Sequence, residues 1–128
     1  MIKASLTANL EYNENRPAIQ VMLDTEMGKE IRIALMEGQV MKKHRTPFPI
    51  VVEIFEGSID FGVNGDVLTL NRGELISLEG NVPHDLTALK DSIVRLSLNK
   101  ADSAKRVEDV ARDLNEQQRL AFAIIAEK

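Results

Sequence analysis

The length of 128 residues corresponds to a single globular domain, and 44% hydrophobic with 28% charged residues is typical of a folded chain rather than a disordered one. A net charge of −4 and a pI near 5.2 argue against a nucleic-acid binder, which needs a positive field. No apolar run approaches the ~20 residues that span a bilayer, and the absence of cysteine excludes disulfides, thiolate zinc sites and a cysteine nucleophile. We therefore expect a cytoplasmic protein without nucleic-acid or membrane partners.

The first half of the chain alternates between short strand-like runs and turns. A weak strand candidate lies at residues 2–6. After Pro17, the run AIQVMLDT alternates apolar and polar residues with period 2, which is typical of a half-buried strand. A turn at residues 27–29 leads into a second alternating run, EIRIALM, and Gly38 leads into VMKKH. Residues 45–49 contain two prolines, which cannot donate to a strand ladder, so they predict a loop.

The strand pattern continues after this loop. Residues 50–55, IVVEIF, are apolar on both sides and predict a central strand. Asn64-Gly65 is the strongest hairpin signal in the sequence, because a type I′ turn needs positive φ at both central residues. Three further runs follow, ELISL, HDLTALK and SIVRLSL. In total about ten short strands are predicted, at spacings typical of a sandwich or barrel.

The periodicity changes from strand to helix at Ala101. The segment AKRVEDVARDL carries apolar residues at i, i+3, i+4 and i+7, and EQQRLAFAIIAEK carries a second apolar stripe, so residues 101–128 predict two helices. Such a stripe serves either as a contact for a partner or as a helix packed across the barrel's own outside or end. The second interpretation is favoured, because an apolar stripe usually buries against its own domain. This gives a barrel at residues 1–100 with C-terminal helices at 101–128 packed on the same domain.

Glycines and histidines recur at ordered spacings in the central stretch. Five residues separate Gly38 from His44, and Gly57 ends this first pattern. Gly73 and His84 form a second pattern. His44 and His84 are the two histidines of the chain, and each lies at the end of a strand-like run.

These patterns resemble the two motifs of the cupin superfamily, G-x5-H-x-H-x3-E-x6-G and G-x5-P-x-G-x2-H-x3-N. Thr46 stands at the position of the second histidine, and Ile50 at that of the glutamate. Glu79, Asn81 and Ala88 replace the proline, glycine and asparagine of the second motif. Asparagine tolerates positive φ better than other non-glycine residues, so its replacement of glycine is mild. The resemblance implies a mostly β fold, a double-stranded β-helix (jelly-roll, cupin-like) barrel, followed here by the predicted C-terminal helical segment.

The candidate site contains both histidines. His44 and Thr46 are two residues apart and would share one strand face, on which His84 from a neighbouring strand would converge. The predicted ligand pocket consists of His44, Thr46, Ile50 and His84, and the predicted metal ligands are His44 and His84. A metal in such a barrel needs three or four ligands. Glu53, the nearest spare carboxylate, should face outward, so the protein supplies only two imidazoles. A divalent transition metal would therefore be weakly bound. The alternative is a pair of pocket histidines hydrogen-bonded to each other, to Thr46 or to water.

Two functions are favoured, and a third possibility, a mainly structural or partner-binding protein, rests only on the predicted C-terminal helices. One is a small-molecule-binding barrel of unassigned ligand without catalysis, since the barrel interior can hold one small ligand. The other is a metal-dependent enzyme, a dioxygenase or an isomerase, using the two-histidine site; catalytic residues are unassigned. A homodimer is also expected, because the resemblance implies pairing through barrel strands and the outer face of residues 50–55 needs a cover.

Overall fold

The structure, a computed structural model, describes residues 1–100, and the two predicted C-terminal helices lie outside the described residues. Nine strands form within this range, and residues 2–6 form none, so the weak strand predicted there is wrong. The strands, in chain order, are β1 (Ala18–Asp24), β2 (Gly28–Leu35), β3 (Val40–His44), β4 (Ile50–Glu56), β5 (Ser58–Val63), β6 (Asp66–Asn71), β7 (Leu75–Leu78), β8 (His84–Ala88) and β9 (Ser92–Asn99).

The strands make two antiparallel sheets. The five-stranded sheet has the order β1-β2-β9-β4-β7, and the four-stranded sheet has the order β3-β8-β5-β6. Only β1-β2 and β5-β6 are hairpins within one sheet, and every other connection between the nine strands crosses from one sheet to the other. The alternation rolls the chain into two facing sheets, which confirms the predicted double-stranded β-helix.

The core lies between the sheets and is built by the period-2 alternation. On β4, Ile50, Val52 and Ile54 are buried, and Glu53 faces outward, where its carboxylate accepts a hydrogen bond from Arg95 at 3.5 Å. The strand lies between β9 and β7, as its apolar composition predicted. The outer face of β4 carries both an apolar side chain, Val51, and a charged one, Glu53, so it is not uniformly apolar.

The predicted hairpin at Asn64-Gly65 is confirmed. Val63 pairs with Asp66 across a two-residue loop, and Asn64 and Gly65 have φ of 54° and 81°. These are the positive angles of a type I′ turn, whose twist matches that of the flanking strands. The turn sets the register of β5 and β6.

The N-terminal segment lies on the outer face of the five-stranded sheet, held by Arg32. The guanidinium donates hydrogen bonds to the carbonyls of Leu6 (3.2 Å), Ala8 (2.9 Å) and Asn9 (3.3 Å), and to the side-chain oxygen of Gln20 (2.9 Å). Arg32 is buried as a result. The carbonyls of residues 6, 8 and 9 therefore bind an arginine side chain rather than a neighbouring strand.

In the part of the chain that the structure describes, no helix is long and apolar enough to cross a membrane.

Candidate functional site

His44 and His84 lie side by side between the sheets. The two residues pair across β3 and β8, and their ring centroids are 4.4 Å apart with the planes inclined at 59°. The side chains are 8% and 5% exposed. The structure thus brings together the two residues predicted as metal ligands.

A β-bulge places His44 inside the barrel. The register of β3 against β8 shifts between Met41 and His44, and both of these side chains are buried. In a regular strand, residues three apart point to opposite faces, so the extra residue of the bulge turns both of them inward.

The same backbone contact fixes the tautomer of both imidazoles. Nδ1 of His44 is 2.7 Å from the carbonyl of Lys42, and Nδ1 of His84 is 2.9 Å from the carbonyl of Val82. A carbonyl oxygen only accepts, so each Nδ1 carries the proton and donates it, and each Nε2 keeps its lone pair. Neither Nε2 has a hydrogen-bond partner within residues 1–100.

Both imidazoles are neutral at pH 7. Burial lowers the pKa of His44. Burial, followed by the neighbouring His44, lowers the pKa of His84 to about 4. The ring of Phe61 stacks on His84 at 5.6 Å between centroids and 17° between planes, which adds an apolar surface to this environment. The site therefore offers two uncharged nitrogen acceptors in apolar surroundings.

A small cavity adjoins the imidazoles. It leaves about 30 Å³ for the centre of a water molecule, enough for one or two water-sized groups. Besides the two histidines, its lining is apolar: Ile19, Ile31, Ile33, Met41, Val52, Phe61, Leu86, Val94 and Leu96. A larger ligand would require side chains to move, and Met41 is the most adaptable of them.

The other two predicted pocket residues do not line this cavity. Thr46 lies beyond the end of β3, and its buried hydroxyl donates to the carbonyl of Phe48 at 3.0 Å. Ile50 is buried in the core. Sequence reasoning did not single out Met41 and Phe61, because their apolar alternation marks them as core but not as neighbours of the histidines.

A turn at Asn81 lies in the loop before His84. Asn81 has a φ of 66°, so it takes the left-handed conformation that its place in the second motif predicted. Its N–H donates to the carbonyl of Thr46 at 2.6 Å, which joins the loop before His84 to the loop after His44. The loop that follows His44 and the loop that precedes His84 are therefore held together by their backbones.

The donor set does not fit a tightly held metal ion. No group of three or more metal-ligating side chains lies together within residues 1–100. The predicted outward orientation of Glu53 is confirmed, since it binds Arg95, and Ile50 has no donor atom. Two imidazole nitrogens fall short of the three or four protein ligands that such a site needs.

The comparisons with known proteins agree in fold. The sequence matches no protein-family model and has no significant match among curated protein sequences. Among solved structures it is similar to an RmlC-like cupin protein from Desulfovibrio desulfuricans, with a TM-score of 0.71 and 20% identity over 77% of this chain and 96% of that one. TT1209 from Thermus thermophilus gives a TM-score of 0.71 and 20% identity over 77% and 97%.

KdgF from Halomonas sp. is a further similar structure, with a TM-score of 0.64 and 13% identity over 75% of this chain and 92% of that one. At sequence identities this low, the structural similarity establishes the fold alone, and the two-sheet topology agrees with that fold. Residues 1–100 form a double-stranded β-helix barrel with the same fold as the RmlC-like cupin proteins.

Proposed function

We propose that this barrel binds a small, uncharged molecule through the Nε2 atoms of His44 and His84, without catalysing its conversion. One observation supports the proposal above the others. Both Nδ1 atoms are committed to backbone carbonyls, so both Nε2 lone pairs are available in a buried, apolar place. A buried acceptor without a partner costs free energy, which a ligand that donates a hydrogen bond would recover.

The cavity favours a particular kind of ligand. Its lining is apolar apart from the imidazoles, so the ligand should be mostly apolar, with an O–H or N–H group directed at Nε2. A charged ligand would lose its hydration without gaining an opposite charge. With about 30 Å³ available to water centres, the ligand has only a few heavy atoms unless Met41 moves aside.

The low proton affinity of the imidazoles supports the part of the proposal that excludes catalysis. The two imidazoles are the only titratable groups among the residues that line the cavity in the described range. With a pKa of about 4, His84 is a weak base at neutral pH, and general acid–base catalysis works best with a pKa near the working pH. Holding a ligand needs only the lone pairs.

The proposal can be tested by nitrogen NMR of the imidazoles with ethanol, acetamide and pyrazole as small donor probes. We expect at least one probe to shift the Nε2 resonances of both histidines and to saturate. His84→Phe keeps an aromatic ring against Phe61 but removes the acceptor, so it should weaken binding at least tenfold. Arg72→Lys, at the exposed surface, is the control and should bind as the parent does. Probes that leave both Nε2 resonances unmoved, or that bind His84→Phe equally well, contradict the proposal.

A metal-dependent enzyme, a dioxygenase or an isomerase, is the second candidate. The hydrogen bonds from Nδ1 to backbone carbonyls favour it, because metal-ligating histidines usually donate their other ring nitrogen in this way. His44 and His84 would hold the ion, and the missing ligands would make it weakly bound.

Elemental analysis of protein purified without added metal separates the two candidates. About one transition-metal ion per chain, lost on His84→Phe, would support the enzyme and overturn the metal-free binding proposal. Metal-free protein that still binds a donor probe supports the proposal. The cytoplasmic location stays a prediction.

A further inference from the structure

Strand β6 is the least protected of the four strands that lie at the edges of the two described sheets. Those edge strands are β1 and β7 in one sheet and β3 and β6 in the other. The register of β1 is interrupted between Val21 and Leu23, that of β3 between Met41 and His44, and β7 has only four residues. By contrast, β6 pairs with β5 over six residues in unbroken register and contains neither proline nor lysine. Because bulges, short length, proline and lysine are the features that keep edge strands from pairing, β6 is open to another strand.

The hairpin at Asn64-Gly65 decides which backbone groups of β6 point away from β5. The two residues that flank a two-residue hairpin loop exchange both of their hydrogen bonds, so the N–H and C=O of Asp66 point at β5. The direction alternates along an antiparallel strand, so Leu68 also points these groups at β5. The N–H and C=O groups of Val67 and Thr69 therefore point out of the sheet edge.

The end of the strand follows the same alternation. Asn71, two residues after Thr69, donates its N–H to the carboxylate of Glu74 at 2.7 Å and accepts from the N–H of Glu74 at 2.9 Å. Both groups of Asn71 are thus satisfied outside the β5 ladder. Within residues 1–100, the outward N–H and C=O groups of Val67 and Thr69 form no hydrogen bond with the protein.

Apolar side chains are exposed on both faces of the same stretch. Val67 is 69% exposed on one face and Leu68 is 41% exposed on the other. An added strand would cover both faces at once and would also pair the outward backbone groups, whereas a ligand lying on one face would not.

We propose that β6 pairs with β6 of a second copy of this chain, antiparallel about a two-fold axis at Leu68. In this register Val67 lies opposite Thr69 of the second copy, and each such pair exchanges two hydrogen bonds. All the outward N–H and C=O groups of both copies are then used. The two Leu68 side chains lie directly opposite each other, and Asp66 lies opposite Leu70 of the second copy, so no like charges face each other. This complementarity of β6 with itself favours a second copy over an unrelated strand.

The register can be tested on the full chain by disulfide formation, since the protein has no cysteine of its own. The two Leu68 residues form a non-hydrogen-bonded pair with Cα atoms about 4.5 Å apart, which a disulfide can bridge. Leu68→Cys should therefore give an interchain disulfide on mild oxidation. Val67→Cys is the control, because the two Val67 positions are diagonal neighbours at about 7–8 Å, beyond the reach of a disulfide. Although Val67 is the more exposed of the two, we expect at least tenfold less disulfide from it.

The interface can be tested without cysteine by sedimentation velocity over a range of protein concentrations. Leu68→Lys places two ammonium groups opposite each other at the axis and should weaken dimerisation at least tenfold. Val67→Pro, which removes an outward N–H but no bond to β5, should do the same. The matched control is Val51→Lys on the five-stranded sheet, because Val51 is 39% exposed and Leu68 is 41% exposed. This control should dimerise as the parent does.

Three results would overturn the proposal. One is a parent protein that stays a monomer at high concentration, which would leave the β6 edge to a strand of another protein. Another is a dimer that persists in both Leu68→Lys and Val67→Pro, since it would use a different surface. The third is a disulfide yield from Val67→Cys that equals or exceeds the yield from Leu68→Cys, which would exclude the two-fold axis at Leu68.

Discussion

At the residue scale, the environment of His84 has a measurable energetic consequence. The imidazole is 5% exposed, next to His44 and stacked on Phe61, and its pKa falls from 6.5 to about 4. In the unfolded chain the ring takes up a proton below pH 6.5, whereas in the folded chain it stays neutral until about pH 4. The stability due to the neutral ring is therefore fully present above pH 6.5 and is lost as the pH falls towards 4.

We expect His84 to reduce the free energy of unfolding by about 2 kcal/mol between pH 7 and pH 5, given its pKa in the two states. His84→Phe cannot take up the proton, so this part of the pH dependence should vanish. Urea unfolding of the parent and the variant at pH 7 and pH 5 measures the change in the free energy of unfolding of each. The carboxylates titrate in both proteins, so their contribution cancels in the comparison. Equal losses of stability in the parent and the variant would show that His84 is not held neutral.

At the scale of the strand and its turn, close backbone approach explains the connection from β4 to β5. Gly57 has a φ of 92°, and a Cβ there would lie 2.1 Å from Oγ of Ser92 and 2.6 Å from the carbonyl of Asp91. The Ser92 hydroxyl cannot move away freely, because it accepts from the N–H of Ser58 at 3.0 Å and donates to the carbonyl of Lys90 at 2.7 Å. Glycine is thus required at position 57 for two reasons, the positive φ of the backbone and the lack of room for a Cβ.

Gly57→Ala should lower the free energy of unfolding by more than about 3 kcal/mol, since a steric clash adds to backbone strain. Gly73→Ala is the matched control, because Gly73 has nearly the same φ of 88° but nothing within 4 Å of the added Cβ. Its cost should be only about 1 kcal/mol. Chemical unfolding of the two variants measures both values, and similar costs would mean that strain alone explains the glycine at position 57.

The N-terminal segment is an element without regular structure, and its carbonyls bind side chains of the barrel, Gln39 at Asn13 and Arg32 at residues 6–9. Arg32 reaches three carbonyls that no strand pairs with. A lysine supplies a single ammonium group in place of the planar fork of donors, so it cannot reproduce these contacts.

Arg32→Lys should therefore accelerate hydrogen exchange of the amides at residues 5–9 at least tenfold and destabilise the fold by about 2 kcal/mol. Exchange in β4 and β9 should stay slow. Arg72→Lys serves as the control, because the ion pair between Arg72 and Glu56 is exposed and worth less than about 1 kcal/mol. Unchanged exchange at residues 5–9 in Arg32→Lys would disprove the role assigned to the arginine.

At the scale of the whole molecule, we expect a homodimer. The barrel leaves apolar side chains exposed on both outer faces, Val51 on the five-stranded sheet and Val67 on the four-stranded sheet. Such exposed apolar side chains on an outer face offer a contact to another copy of the chain. Light scattering should give about twice the chain mass of 14.3 kDa. A mass of one chain at high protein concentration would contradict the expectation.

The sequence by itself determined the strands, most turns and the fold. Alternation of apolar and polar residues is a local property, as is the positive φ that Asn64-Gly65 and Asn81 accept, so these elements follow from short stretches of chain. The spacing of glycines and histidines placed His44 and His84 on neighbouring strands, and the structure pairs them. The sequence also predicted correctly that Glu53 faces away from them.

Only the tertiary structure decided which residues surround the histidines. Strand β3 ends at His44, so the parity rule that joined His44 to Thr46 does not apply, because Thr46 lies outside the strand. Thr46 instead bonds within its loop, and Ile50 packs in the core away from the cavity. Cavity size, burial and the resulting pKa values depend on contacts between strands distant in sequence, and no local pattern specifies those contacts.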